Sequence, residues 1–175
     1  PGSEYRCLDE TAGNLASANR RTAYDTQTRR FDVEAYEQLC RLWTVVLEIS
    51  VMMAQFPSKP IAELAYEYRT LGLGYANIGG LLMTMGLFYD LKEGCALWGA
   101  LSAIMTGNIY ATSAEMAKEL GPFPGHKKNA AHMLRVIRND RSAAHSESRG
   151  YEGIAVNPMQ LAYASVTHDD SAVLA

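Results

Sequence analysis

The chain has 175 residues, a net charge of −3, 48% hydrophobic and 20% charged residues. These values exclude bulk disorder and give no whole-chain argument for a nucleic-acid or membrane partner. The length suffices for one domain with a sizeable core.

Residues 1–31 read as loop and short-strand material. Tyr5–Leu8 is one strand candidate, and Leu15–Ala18 is another, weakened by small and polar side chains. The N-terminal residues lack an apolar signal region. Asp32 is an N-cap candidate for a long helix, with Phe31 and Tyr36 spaced as a hydrophobic staple. Val33, Tyr36, Leu39, Cys40, Trp43, Val46 and Leu47 follow helical spacing. From Trp43 onward the helix is apolar nearly all round, which predicts burial on several sides, and Pro57 stops it. The longest apolar run, Leu42–Ala54, is interrupted by Glu48 and is too short to span a bilayer.

Ser58-Lys59-Pro60 restarts a short helix carrying Ile61, Leu64, Ala65 and Tyr68. The stretch Arg69–Gly86 follows, nearly uncharged and rich in glycine. Thr70–Tyr75 reads as extended or a turn, and Ala76–Met85 as a helix. Asp90 is placed to cap a helix running to about Leu120, with Gly121 as its C-cap. Cys95, Gly99, Ala103, Gly107 and Ala111 recur every fourth residue and predict a face on which another helix packs closely. Gly121–Gly125 is a rigid turn, and residues 127–145 form a last helix with Ala131, Leu134 and Ile137 inward. Beyond 145 there is no periodicity; Ile154–Val156 is a strand candidate, and the tail after Ala164 is expected to be loosely held. The division is therefore 1–31, a helical core at 32–145, and an irregular segment at 146–175.

Few motifs carry chemistry on their own. Gly72-Leu-Gly74-Tyr-Ala-Asn77 has asparagine where the third glycine of a dinucleotide loop belongs, so helix packing is the favoured reading. Residues 126–149 hold six Lys/Arg against Asp140 and Glu147, read as a solvated helix face before a phosphate-binding one. His145-Ser146-Glu147 lacks the cysteine pair of the zinc deaminases, and His126 and His132 do not stack on one helix face. Cys7, Cys40 and Cys95 form no disulfide framework and no zinc spacing, so no metal is expected and a cytoplasmic, reducing compartment is. Trp43, Trp98 and the methionines read as core.

Longer runs carry a resemblance. Ser3-Glu4-Tyr5, Asn14-Leu-Ala-Ser17, Trp43–Pro57, Arg69–Met83, Gly121-Pro-Phe-Pro-Gly125 and His132–Asn139 resemble the catalytic subunit of the adenosylcobalamin-dependent (class II) ribonucleotide reductases. The resemblance runs through the whole chain, which is a minority of that subunit. It implies a mainly α (α+β) fold of four or five helices, a helical fragment of the reductase α/β barrel with one or two short N-terminal strands. It also implies adenosylcobalamin as the parent cofactor, a ribonucleotide substrate, and a place in deoxyribonucleotide synthesis for DNA replication.

In that family a finger loop carries a cysteine that becomes a thiyl radical and abstracts the substrate 3′-hydrogen. A nearby glutamate serves as general base, and a second cysteine eleven residues on belongs to the reducing dithiol. The resemblance assigns Glu4 to the general base, Gly2 to the thiyl position and Gly13 to the redox cysteine. Glycine has no S–H, so the chain alone is expected to have no turnover and to need no cofactor. Two explanations stand for Gly2: a true substitution, or a cloning scar at Pro1-Gly2-Ser3. Gly13 is internal. Cys7 lies where a large apolar residue is expected. Where the family reads Leu-Ala-Ser-Leu-Asn-Leu, this chain reads Leu15-Ala-Ser-Ala18-Asn19-Arg20, which is read as a strand adapted to lost sheet neighbours. The alternative to an enzyme-derived fragment is a non-catalytic helical interaction or scaffold module that pairs with itself or with the complementary reductase segment. In either case the Arg69–Gly86 stretch must be covered by the helices of residues 32–56 and 90–120, and exposure of Leu73 and Tyr75 would point to an oligomer.

Overall fold

The computed structural model describes residues 9–165. The strand expected at Tyr5–Leu8 and nearly all of the tail after Ala164 lie outside them. The fold is mainly helical: α1 (Val33–Met53), α2 (Lys59–Tyr68), α3 (Ile78–Met85), α4 (Lys92–Leu120) and α5 (His126–Ala144). Strand β1 (Asn14–Asn19) pairs in parallel with β4 (Leu71–Ala76), in register from Asn14 opposite Leu71 to Asn19 opposite Ala76. A parallel pair needs a long crossover, and α1 and α2 supply it. Strands β2 (Tyr24–Asp25) and β3 (Arg30–Phe31) form a small hairpin, joined to β1 by a helical turn at Arg20–Ala23.

Local chemistry sets the start of α1. The Asp32 carboxylate accepts the Ala35 N–H at 2.8 Å, and the Phe31 ring meets Tyr36 edge-on at 5.5 Å. Tyr36, Cys40, Thr44, Leu47 and Val51 form its buried stripe. Thr44 hides its hydroxyl by donating to the Cys40 carbonyl at 2.7 Å. Burial does not extend round the helix as the sequence suggested. Trp43 is partly exposed, while Leu42, Val46, Ile49 and Met53 are more so, because β1, β4, α2 and α4 all pack on the opposite side. The methionines divide likewise: Met85 and Met105 are buried, and Met53, Met83 and Met159 face solvent.

The core joins Tyr36 and Cys40 of α1 to Leu81, Leu82 and Met85 of α3 and to Leu97, Ala100, Leu101 and Met105 of α4, with Ala18, Tyr24 and Phe31 beside them. Leu73 and Tyr75 of β4 pack against this core, so helices of the same chain cover that side of the stretch, as expected.

Several local expectations are corrected. Asp90 does not cap α4: Leu91 stands at the cap with no side-chain hydrogen bond. The first turn lies under the preceding loop instead, where a Cβ added to Gly94 would sit 2.4 Å from the Phe88 carbonyl oxygen. The two glycines of the small-residue stripe of α4 do not meet another helix closely. Its Gly99 is covered by the returning C-terminal segment, the Leu161 side chain standing 2.0 Å from where a Cβ would be, and Gly107 has open space. Helix α5 is rotated from its predicted face: Ala131 and Leu134 are exposed, and Asn129, Met133, Ile137 and Asp140 are half-buried. Ile154–Val156 forms no strand and is exposed. That segment is tied down by its backbone, Glu152 N–H donating to Asn139 at 3.0 Å and Leu161 N–H to Ser146 at 3.1 Å.

Candidate active-site face

Side chains alternate across a strand, so the ribbon of β1 and β4 has two unlike faces. Toward the helices it turns Asn14, Ala16 and Ala18 with Leu71, Leu73 and Tyr75. The other face carries Leu15, Ser17 and Asn19 beside Gly72, Gly74 and Ala76, with Gly13 and Thr70 at its leading end. Leu15, Ser17 and Asn19 are exposed. A Cβ added to Gly74 would meet the Ser17 hydroxyl at 3.8 Å, which confirms the shared face. Gly72 and Gly74 are thus not a helix-packing device. They alternate with the large residues that face the core and leave a smooth, bare sheet surface.

Gly13 stands exposed at the edge of this surface. Its backbone is not in the left-handed region, and a Cβ there would make ordinary contact with Thr70, at 3.7 Å from Oγ1 and 3.8 Å from the carbonyl oxygen. Neither the space for a Cβ nor the backbone demands glycine. Glu4 and Gly2 lie outside the described residues.

The neighbours of residue 13 are held on both sides. Thr70 donates its hydroxyl to the Ala12 carbonyl at 3.3 Å. Asn14 donates to the Ser50 hydroxyl at 2.6 Å, and Ser50 to the Leu47 carbonyl at 2.8 Å, anchoring β1 to α1. Arg69 ends α2 in the left-handed conformation, φ 47° and ψ 50°, which costs a non-glycine residue about 1–2 kcal/mol. Its guanidinium pairs with Glu48 of α1, both side chains largely buried, and donates to the Met52 sulfur at 2.8 Å. Thr70, Arg69, Glu48, Asn14 and Ser50 were not singled out from the sequence as site residues. An arginine where helix ends favour glycine was the one available signal.

Behind the ribbon lies an aromatic cluster. Trp98 Nε1 donates to the Tyr75 hydroxyl, which Ser102 also approaches at 3.4 Å, and Tyr36 donates to the Leu101 carbonyl at 3.3 Å. Between the rings sits Arg20, fully buried, its guanidinium carbon 3.7 Å from the Tyr75 centroid and 5.3 Å from that of Tyr36. None of its three side-chain nitrogens has a hydrogen-bond partner among the described residues. Burial lowers the Arg20 pKa and raises those of Tyr36 and Cys40. Arg20 is therefore not a solvating replacement on an orphaned strand: Ala18 and Arg20 face the core, and β1 exposes Leu15, Ser17 and Asn19 instead.

A cleft of about 160 Å³ opens between α4 and α5, lined by Tyr110, Asn129, His132, Met133, Val136 and Ile137. Small-molecule sites run to roughly 300–1,000 Å³, and a corrin ring does not enter this one. The cleft therefore does not fit a corrin ring, and no group of three or more His, Cys, Asp or Glu among the described residues suits a metal ion. Among the described residues, the outer ribbon face carries no imidazole or thiol for cobalt. No helix among them is long and apolar enough to cross a membrane.

The chain belongs to the ribonucleotide reductase family: the description "Ribonucleotide reductase, barrel domain" matches residues 3–162. It is 72% identical, over 97% of its length, to the vitamin B12-dependent ribonucleotide reductase of Bradyrhizobium diazoefficiens, covering 14% of that protein. Identity to the same enzyme of Agrobacterium fabrum is 64% over 97% of this chain and 13% of the relative. With that of Rhodopirellula baltica it is 43% over 82% of this chain and 14% of the relative. The chain thus spans about one seventh of the length of these relatives.

Proposed function

We propose that the chain is the part of an adenosylcobalamin-dependent ribonucleotide reductase that presents two positions to the ribonucleotide: Glu4, the general base, and position 13, where the family carries a reducing cysteine and this chain carries glycine. Residues 1–31 carry the chemistry in this reading, 32–145 the helical support, and 146–175 an irregular flank. The enzyme would work in the cytoplasm, making deoxyribonucleotides for DNA replication. Cobalamin, when bound by the complete protein, supplies the radical; the residues here would orient the sugar and move its 3′-hydroxyl proton to the Glu4 carboxylate. With glycine at positions 2 and 13 neither thiol exists, so this chain supports no turnover.

The observation carrying the proposal is the setting of Gly13: an exposed strand start, anchored on both sides, with room for a Cβ and no backbone need for glycine. The fold therefore does not explain the missing thiol, whereas the chemistry of the family requires one there. The test grafts residues 1–175 into the Bradyrhizobium enzyme in place of its matching segment and assays ribonucleotide reduction with adenosylcobalamin and a dithiol. No turnover is expected with the glycines, and turnover with Gly2→Cys and Gly13→Cys together. In the restored protein Glu4→Gln should lower the rate roughly 100-fold or more. Reduction by the graft with both glycines in place overturns the proposal.

A further inference from the structure

The ion pair of Arg69 and Glu48 stands beside the candidate site yet touches neither the bare face nor residue 13. Arg69 holds a left-handed backbone where a glycine would be unstrained, so its side chain has a use that the turn does not. That side chain is 13% exposed and its Glu48 partner 15%, with the Met52 sulfur as a second contact. Both contacts fasten the junction of α2 and β4 to α1. The next residue is Thr70, which faces Gly13 and bonds Ala12. Ser50, two residues beyond Glu48 on the same helix, holds Asn14 on the other side of residue 13.

We infer that Arg69 and Glu48 are positioning residues: a latch that fixes Thr70 against residue 13 and so sets the backbone placement of the position where the family carries its reducing cysteine. The inference rests on the functional reading above for the role of residue 13, but the geometry it asserts is testable without turnover. Opening the latch should loosen the leading end of the ribbon while leaving its middle intact.

The measurement uses two cysteine pairs in a C7S/C95S background, Cys40 being buried. One is G13C/T70C at the leading end. The other is S17C/G74C in the middle of the ribbon, where the side chains also face each other. Each pair is equilibrated with glutathione disulfide, which takes up the two electrons and two protons as two glutathione thiols when the protein disulfide closes. The equilibrium constant reports the effective concentration of one thiol at the other. Glu48→Gln is expected to lower it at least tenfold for the leading pair and less than twofold for the middle pair, with Arg69→Lys within threefold of the parent. Equal losses at both pairs, or no loss at the leading pair, would overturn the inference. Should Glu48→Gln not fold, R69M/E48L keeps apolar bulk at both positions, and the same contrast between pairs decides. Because no step requires reductase activity, a failure of the grafted enzyme leaves this result standing on its own.

Discussion

Arg20 brings a guanidinium into the core, where two tyrosine rings are its neighbours and no described carboxylate pairs with it. Ring faces attract a cation by about 2 kcal/mol when desolvated. Removing an arginine from water costs several kcal/mol, so the balance at this site is unfavourable. Arg20→Leu, which fills similar space without charge, should stabilise the chain by about 2 kcal/mol, raising the melting temperature by roughly 5 °C; thermal denaturation followed by circular dichroism checks this. A lower melting temperature would mean that the ring contacts outweigh desolvation. From sequence Arg20 reads as a surface residue, since arginine is rarely fully buried. Its burial follows from the helical turn that ends β1 and carries Arg20 into the core beside Ala18, which becomes visible only once the path of β1 is known.

Among the elements, α4 and α5 meet through a titratable contact. Asp140 on α5 faces Tyr110 on α4; burial raises its pKa above 3.8, and a hydrogen bond from the tyrosine partly opposes that rise. The folded state therefore holds the Asp140 proton more tightly than the unfolded state does. Stability falls as pH rises from the ordinary carboxylate range through the raised value and is level above it. Asp140→Asn keeps an acceptor for Tyr110 and removes the titration. Its melting temperature relative to the parent should rise as pH increases through the ordinary carboxylate range and the raised Asp140 value above it, and then stay constant; a difference independent of pH would show that folding does not shift the Asp140 titration.

Elements whose boundaries depend on neighbouring residues were legible in the sequence. The Asp32 cap, the Phe31–Tyr36 staple and the stop before Pro57 need only a few adjacent side chains. Asp90 carries an equally good local signal, but the loop pressed against Gly94 overrides it. The alternation Gly72-Leu73-Gly74-Tyr75-Ala76 has the period of a strand, yet its meaning depends on β1 lying alongside. Of the candidate site, position 13 could be found through the family runs around it. Arg69, Glu48 and Thr70 could not, because their contacts join segments distant in sequence.

For the molecule as a whole, apolar surface remains open on two sides. Leu42, Val46, Ile49 and Met53 line one stripe of α1, and Leu15 stands 61% exposed on the ribbon. Patches of this kind lead to association. The isolated chain should self-associate with rising concentration in sedimentation velocity, and Val46→Glu with Ile49→Lys should return it toward monomer with unchanged helical content. Association unaffected by these changes would place the contact elsewhere, the ribbon face being the next to test.

The parallel ribbon also governs the order of events during synthesis. Thr70 and Ala12 are 58 positions apart in the chain, and the pairing of β1 with β4 cannot form until β4 has left the ribosome. At translation rates of roughly 5–20 residues per second that wait is roughly 3–12 s. Helix α1 is complete well before it ends, whereas β1 still lacks its β4 neighbour. Residue 13 therefore reaches its final position late, after the scaffold that will hold it. An interruption of synthesis before Ala76 would release a helical chain lacking the parallel ribbon.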